Sequence, residues 1–169
     1  WARDHALPRR LAGMMGMRKP RTPFVFAAYA AVFALTLDQA TKAIAIAHRD
    51  SLTDGVAVFS GFSLVLHRNP GGGFGLVGNT PAFALVALAL TICAWLVNLA
   101  FRAKRKGDAT AYGLILGGGL GNVVDRVRLG GVTDFLDFYV GASHWPAFNL
   151  ADTAIFCGVV ILVVGPLLD

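Results

Sequence analysis

The chain has 169 residues, 56% of them hydrophobic and only 15% charged, with a formal net charge of +5. Soluble domains carry about 25% charged residues, so this balance excludes an ordinary soluble domain and points to a membrane protein. The positive excess is gathered into two short clusters, which argues against a nucleic-acid surface, and all ten acidic residues are aspartates.

Residues 1–23 form a basic arm containing Arg3, Arg9, Arg10, Arg18, Lys19 and Arg21, for which no fold is expected. A first apolar span follows, from about residue 24 to 47, close to the ~20 residues that cross a bilayer core. It is long for the apolar part of a secretory signal and further spans follow it, so it is read as an uncleaved helix. Within it, "LDQATKAI" sets Asp38 and Lys42 four residues apart on one helix face. They are either a self-neutralising ion pair or one wall of a polar site, since intramembrane charges face an interior.

The segment 48–81 contains "GVAVFSGFSLVLHRN", two β-prone runs parted by the turn signal Ser60-Gly61. Phe62, Leu64 and Leu66 share a face by the two-residue period, and a small hairpin or cradle at the membrane surface is expected. "NPGGGFG", Asn69 to Gly75, then offers backbone freedom for a plain turn or for close approach to a ligand. A second span covers about 82–101, followed by the basic loop "FRAKRKGD".

The third span, about 109–127, is weaker and glycine-rich. Gly113, Gly117 and Gly121 recur every fourth residue, which suits close helix packing in lipid. Asn122 and Arg126 share a face at its outer end, and Asp125 beside them is read as an Arg126 partner snorkelling to the interface. In the segment 128–147, "GVTDFLDFYV" is again β-prone and is expected to join the hairpin. It carries Asp134, and also Asp137, whose opposite parity suggests a surface position. The fourth span, "FNLADTAIFCGVVILVVGPLL" from Phe148 to Leu168, opens with Asn149 as a candidate helix cap and Asp152 in the first turn. Cys93 and Cys157 fall in apolar spans and read as buried thiols, and neither Cys nor His shows metal-ligand spacing.

Basic flanks mark cytoplasmic ends. Both termini are therefore expected in the cytoplasm, with 48–81 and 128–147 on the opposite face. The fold class expected is an all-α membrane protein, with four transmembrane helices and a small extracytoplasmic β-cradle, in one domain over 24–169. Asp134 and Asp152 would then lie near one membrane face. Two carboxylates that approach closely cannot both ionise; the ionised one can take a proton from water while the other donates. That is aspartic-protease logic, although the sequence does not bring the two residues together.

"DQATK", "NPGGGF", "GGGLGNVVDR", "VTDF" and "FNLAD", in this order, resemble the bacterial lipoprotein signal peptidases, or signal peptidase II, over about residues 24–168. The resemblance implies an aspartic endopeptidase of the bacterial inner membrane. Such an enzyme removes the signal peptide of prolipoproteins before a cysteine carrying diacylglyceryl, needs no cofactor or metal, and is blocked by globomycin-type cyclic peptides. It implies Asp134 and Asp152 as the catalytic pair, with Asp38, Lys42, Asn69, Gly71, Gly119, Asn122, Arg126 and Asn149 binding substrate or supporting the site. Membrane lipid and modified prolipoproteins are the implied partners; nucleic acid is not. Pro70, Gly72, Gly73 and Thr133 depart from the usual pattern and would reshape the substrate-facing loop without touching the pair. Two other readings compete: a proton-coupled transporter using Asp38, Lys42 and Asp152 as a relay, and a non-catalytic scaffold held by glycine packing.

Overall fold

The structure, a computed structural model, describes residues 22–71 and 81–167. Nearly all of the basic arm, and Gly72 to Gly75 of the glycine loop, lie outside the described residues. Among the described residues there are four long helices, α1 (Thr22–Ala47), α3 (Ala82–Arg102), α4 (Lys106–Leu129) and α5 (Leu150–Val164), with α2 (Arg49–Leu52) a single short turn after α1. Between them run β1 (Val56–Phe59), β2 (Phe62–Asn69), β3 (Val132–Val140) and β4 (Ser143–His144).

Three stretches, Pro23–Ala47, Phe83–Arg102 and Leu150–Leu167, are helices long and apolar enough to cross a membrane. Their outward surfaces present Tyr29, Phe33, Trp95 and Phe156, all exposed, as a lipid-facing helix requires. The fourth long helix, α4, falls short of that apolarity, and its place explains why. It is the central helix, packed by α1, α5 and α3, so much of its surface meets protein and has no need of lipid-soluble side chains.

Small residues allow that packing. On α1 the buried positions are Ala27, Ala31, Ala34, Asp38, Lys42 and Ala45, a stripe spaced by threes and fours. On α4 Gly113 lies against the backbone of Ala27, Gly117 against Ala31 and Ala34, and Gly121 against the Asp38 carboxylate; a Cβ on any of them would collide. The numbers rise together, so α1 and α4 run parallel. Gly118 meets Ala151 while Gly158 meets Ala111, so α5 runs antiparallel to α4. In lipid there is no hydrophobic drive between helices, and such backbone proximity supplies dispersion contacts instead. At the far end Phe24 stacks on Phe101 with centroids 3.9 Å apart, which places the start of α1 beside the basic Arg102–Lys106 loop.

The sheet is an antiparallel meander in the order β1-β2-β3-β4. β1 and β2 turn at Ser60-Gly61, where Gly61 takes a φ of 95°, a conformation that favours glycine. β2 and β3 are joined through α3 and α4, yet pair from Phe62↔Phe138 to Asn69↔Val132. Leu64, Leu66, Leu136 and Leu150 pack on a small core of Ala45, Leu52 and Phe135, fastening the sheet to one end of the bundle.

Gly117→Val should therefore cost about 3 kcal/mol, the upper end of overpacking penalties. Gly107, where an added Cβ meets nothing within 4 Å, should accept alanine with no loss. Thermal unfolding in detergent would compare them, and equal midpoints would refute the packing argument.

Candidate active site

At the sheet end of the bundle, polar side chains from α1, α4, β2, β3 and the start of α5 form one hydrogen-bonded network. Its base is the i,i+4 pair on α1, with Lys42 Nζ 2.9 Å from Asp38 Oδ2. Both side chains are essentially sealed from solvent, at 2% and 0% exposure. Buried ions persist only when paired and hydrogen-bonded, and these are. Asp38 Oδ1 accepts from the Ala151 backbone N–H at 2.9 Å. Lys42 also reaches Asp125 Oδ2 at 3.3 Å and donates to Asn122 Oδ1 at 3.0 Å. Gln39 Nε2 bridges Asp38 and Asp125, and the Thr133 backbone N–H donates to Asp125 Oδ2 at 2.9 Å.

Asp125 thus does not snorkel with Arg126, as its sequence neighbourhood suggests. It is buried and turned toward Lys42. Adjacent helix positions point about a quarter-turn apart, and the side facing α1 took the carboxylate. Arg126 instead lines the cleft, its Nη1 donating to the Asn122 carbonyl at 3.2 Å.

Asn149 stands above this base, fully buried, as the N-cap of α5. Its Oδ1 accepts from the Asp152 N–H at 3.0 Å, while Asp152 Oδ2 accepts from the Asn149 N–H at 3.3 Å, a capping box with aspartate in place of glutamate. Asn149 Nδ2 donates to Asp134 Oδ1 at 2.6 Å. Asn122 Nδ2 donates to Asp152 Oδ1 at 2.9 Å, and Asn69 Nδ2 to Asp134 Oδ2 at 3.4 Å. Asn69 is itself set by the Gly71 N–H, which donates to its Oδ1 at 3.3 Å. Cap and site are not alternatives here: one asparagine turns the helix and holds a carboxylate of each strand-end and helix-end.

Asp134 and Asp152 line a single cleft of about 310 Å³, with Asn69, Asn122, Arg126 and the wall Trp145–Phe148. Burial, reinforced by the Asp152 charge, pushes the Asp134 carboxyl up to about 6, against the opposing hydrogen bonds of Asn149 and Asn69 and the Lys42 charge. A second cavity, about 280 Å³ and mostly apolar, shares Asn122 and Arg126 with the cleft and runs down between α3, α4 and α5. Gly119 lines it, facing Cys93. Cys93 is buried as expected; Cys157 is exposed on the outside of α5, not buried.

Sequence reasoning missed Gln39, Asp125 and the Trp145–Phe148 wall as parts of this region. It also read Asp137 as surface. Asp137 is buried, at 6% exposure, with Ser63 of β2 and His144 of β4 closing on its carboxylate from either side. A polar residue within an otherwise apolar, β-prone run was the available signal.

A water-accessible, carboxylate-lined cleft at one end of a bundle of apolar helices defines a membrane enzyme. The profile described as Signal peptidase (SPase) II matches residues 30–168, and the chain belongs to that family of lipoprotein signal peptidases. It is 42% identical over 136 residues to the lipoprotein signal peptidase of Desulforapulum autotrophicum, covering 76% of this chain and 83% of that one. It is 41% identical over 155 residues to that of Syntrophus aciditrophicus, covering 88% and 94%. A solved structure, described as a bacterial membrane enzyme determined by the in meso method, superposes with a TM-score of 0.73 at 30% identity, over 85% of this chain and 88% of that one.

Two outcomes follow from the network. A carboxyl whose pKa is raised by folding contributes stability that is complete below its ordinary value near 3.8 and is lost as pH rises through about 6. The Asp134 carboxyl should titrate near 6 by ¹³C NMR in micelles and at lower pH in Asp152→Asn; an unchanged titration would remove the coupling between them. Lys42→Met, which strands two buried carboxylates, should lower stability by about 3–5 kcal/mol, read as the loss of a cooperative unfolding transition at physiological temperature.

Proposed function

We propose that this protein is an aspartic-type intramembrane endopeptidase that cleaves the signal peptide from prolipoproteins, hydrolysing the bond before a diacylglyceryl-modified cysteine. The observation carrying this reading is the cleft itself. Asp134 and Asp152 are its two lining carboxylates, Asp134 held by the buried Asn149 and Asp152 by the half-buried Asn122. The cleft offers no serine or cysteine nucleophile among its lining residues.

The chemistry needs one carboxylate and one carboxylic acid. Asp152 sits at the positive end of α5 and accepts from Asn122 and the Asn149 N–H, partners suited to an anion. It takes a proton from water as the oxygen attacks the scissile carbonyl. Asp134, the carboxyl raised to about 6, is the natural holder of the shared proton. It hydrogen-bonds the carbonyl oxygen, and a proton then passes to the leaving amine of the cysteine as the C–N bond breaks. Arg126 and Asn69 flank the pair and can hold substrate backbone.

The apolar cavity along Ala89, Ile92, Leu96, Ile115 and Ile155 suits an apolar signal helix arriving sideways from lipid with its end at the dyad. Membrane placement follows the same logic. The basic Arg102–Lys106 loop lies at the end opposite the carboxylates, and positive-inside bias supports a cleft at the extracytoplasmic face of the bacterial inner membrane with both termini in the cytoplasm. In this reading α4, shielded by its three neighbours, is the fourth crossing. The transporter reading is disfavoured because Asp38 and Lys42 are closed into a buried ion pair.

A gel-shift assay in detergent tests the proposal with a diacylglyceryl-modified prolipoprotein. The parent should cleave it and a globomycin-type cyclic peptide should stop it. Asp134→Asn and Asp152→Asn should each lose on the order of a thousandfold or more while keeping the parent's thermal transition. Cleavage surviving in either variant sinks the dyad.

A further inference from the structure

Outside the site, one side-chain cluster on the sheet has no role in the chemistry above. Ser63 of β2 lies directly opposite Asp137 of β3, and its Oγ donates to Asp137 Oδ2 at 3.0 Å. The ring Nδ1 of His144, on β4, meets the same oxygen at 2.8 Å. His144 pairs with Tyr139 across the β3–β4 ladder and stacks on its ring, centroids 5.1 Å apart. Ser63, Asp137, Tyr139 and His144 thus share one face of the sheet.

Ser63, Asp137 and His144 do not form a nucleophilic triad. Serine and histidine both point at the carboxylate and not at each other, so no base is poised to activate Ser63. What the cluster can do is hold β4. That strand is only two residues long, and the chain leaving it forms the cleft wall: Trp145, Pro146, Ala147 and Phe148 line the cleft with Asp134 and Asp152. Side chains alternate across a strand, so fastening His144 to one face aims Trp145 at the other. Backbone bonds support this, from Trp145 N–H to the Phe138 carbonyl at 2.7 Å and between Phe148 and Leu136 further on. Buried Asp137, held from β2 by Ser63, is the anchor that makes the side-chain tie directional.

We propose that Asp137 and His144 are positioning residues that set the Trp145–Phe148 wall, and through it the fit of the substrate chain beside the scissile bond. The proposal rests on the peptidase reading above. Neither residue touches the reacting atoms, so the tie governs binding more than turnover.

The test is a set of variants, His144→Ala, Asp137→Asn and His144→Asn, read in two ways. The first readout is cleavage kinetics on a diacylglyceryl-modified prolipoprotein. The second is the ¹⁹F signal of 5-fluorotryptophan at Trp145, assigned by its loss in Trp145→Phe, which reports the wall whether or not the protein cleaves. His144→Ala and Asp137→Asn should raise KM about tenfold, as misplaced positioning groups do, with kcat within twofold, and should shift or broaden the Trp145 signal. His144→Asn, whose Nδ2 can reach where the ring Nδ1 stood, should restore both. An unmoved Trp145 signal in His144→Ala overturns the proposal. So does a KM left at the parent's value, or a loss confined to kcat that His144→Asn does not recover. Failure of the peptidase reading would show separately, as an inactive parent whose Trp145 signal still responds to His144→Ala.

Discussion

The organisation of this protein depends on how Asn149 caps α5. A helix must satisfy its first backbone N–H groups, and here a fully buried asparagine satisfies one of them. Its Oδ1 accepts from the Asp152 N–H, which sets the first turn and with it the direction of the Asp152 carboxylate. Its Nδ2 holds Asp134 at 2.6 Å. One side chain therefore links the start of a lipid-facing helix to a strand of the sheet. Displacing it would disturb the helix terminus and both carboxylates together.

Beneath that cap lies an ionic layer that only close helix packing makes possible. Gly121 brings α4 against the Asp38 carboxylate, so Lys42 can reach Asn122 and Asp125 on the same helix. A larger residue would open a gap and leave charges in a medium of low dielectric, where desolvation exceeds what a distant partner returns. The glycines are thus as much a condition of the polar site as of the bundle. Not every group in the layer is satisfied from the described residues: among them the Thr133 hydroxyl and Arg126 Nε are buried without a hydrogen-bond partner. Arg126 borders both cavities.

The sheet contributes through non-local pairing. Asn69 and Asp134 are 65 residues apart and meet because β2 and β3 pair across the whole α3–α4 excursion. This couples the site to the membrane-embedded helices, since the strands register only when α4 delivers β3 to the right place. The αL glycine at the end of α4, Gly130 with φ of 73°, makes that delivery possible by turning the chain sharply out of the helix.

The sequence by itself determined the parts that depend on local physics. Apolar length located α1, α3 and α5 near their observed bounds, alternation and the Ser60-Gly61 turn located the hairpin, and the glycine period located the packing face of α4. The same local rules named Asn149 as a cap, and five short motifs in order identified the family. What only the tertiary structure decided was which neighbour each polar group chose. Asp125 turned to Lys42 on another helix, leaving Arg126, its neighbour in sequence, to line the cleft. Asp137 was buried by two strands, one of them arriving from before α3. Gln39 joined the ionic layer, and Trp145–Phe148 became a wall. These choices share a physical cause: a buried polar group must find partners wherever the fold places them, and those partners lie far away in sequence, where periodicity and spacing carry no information.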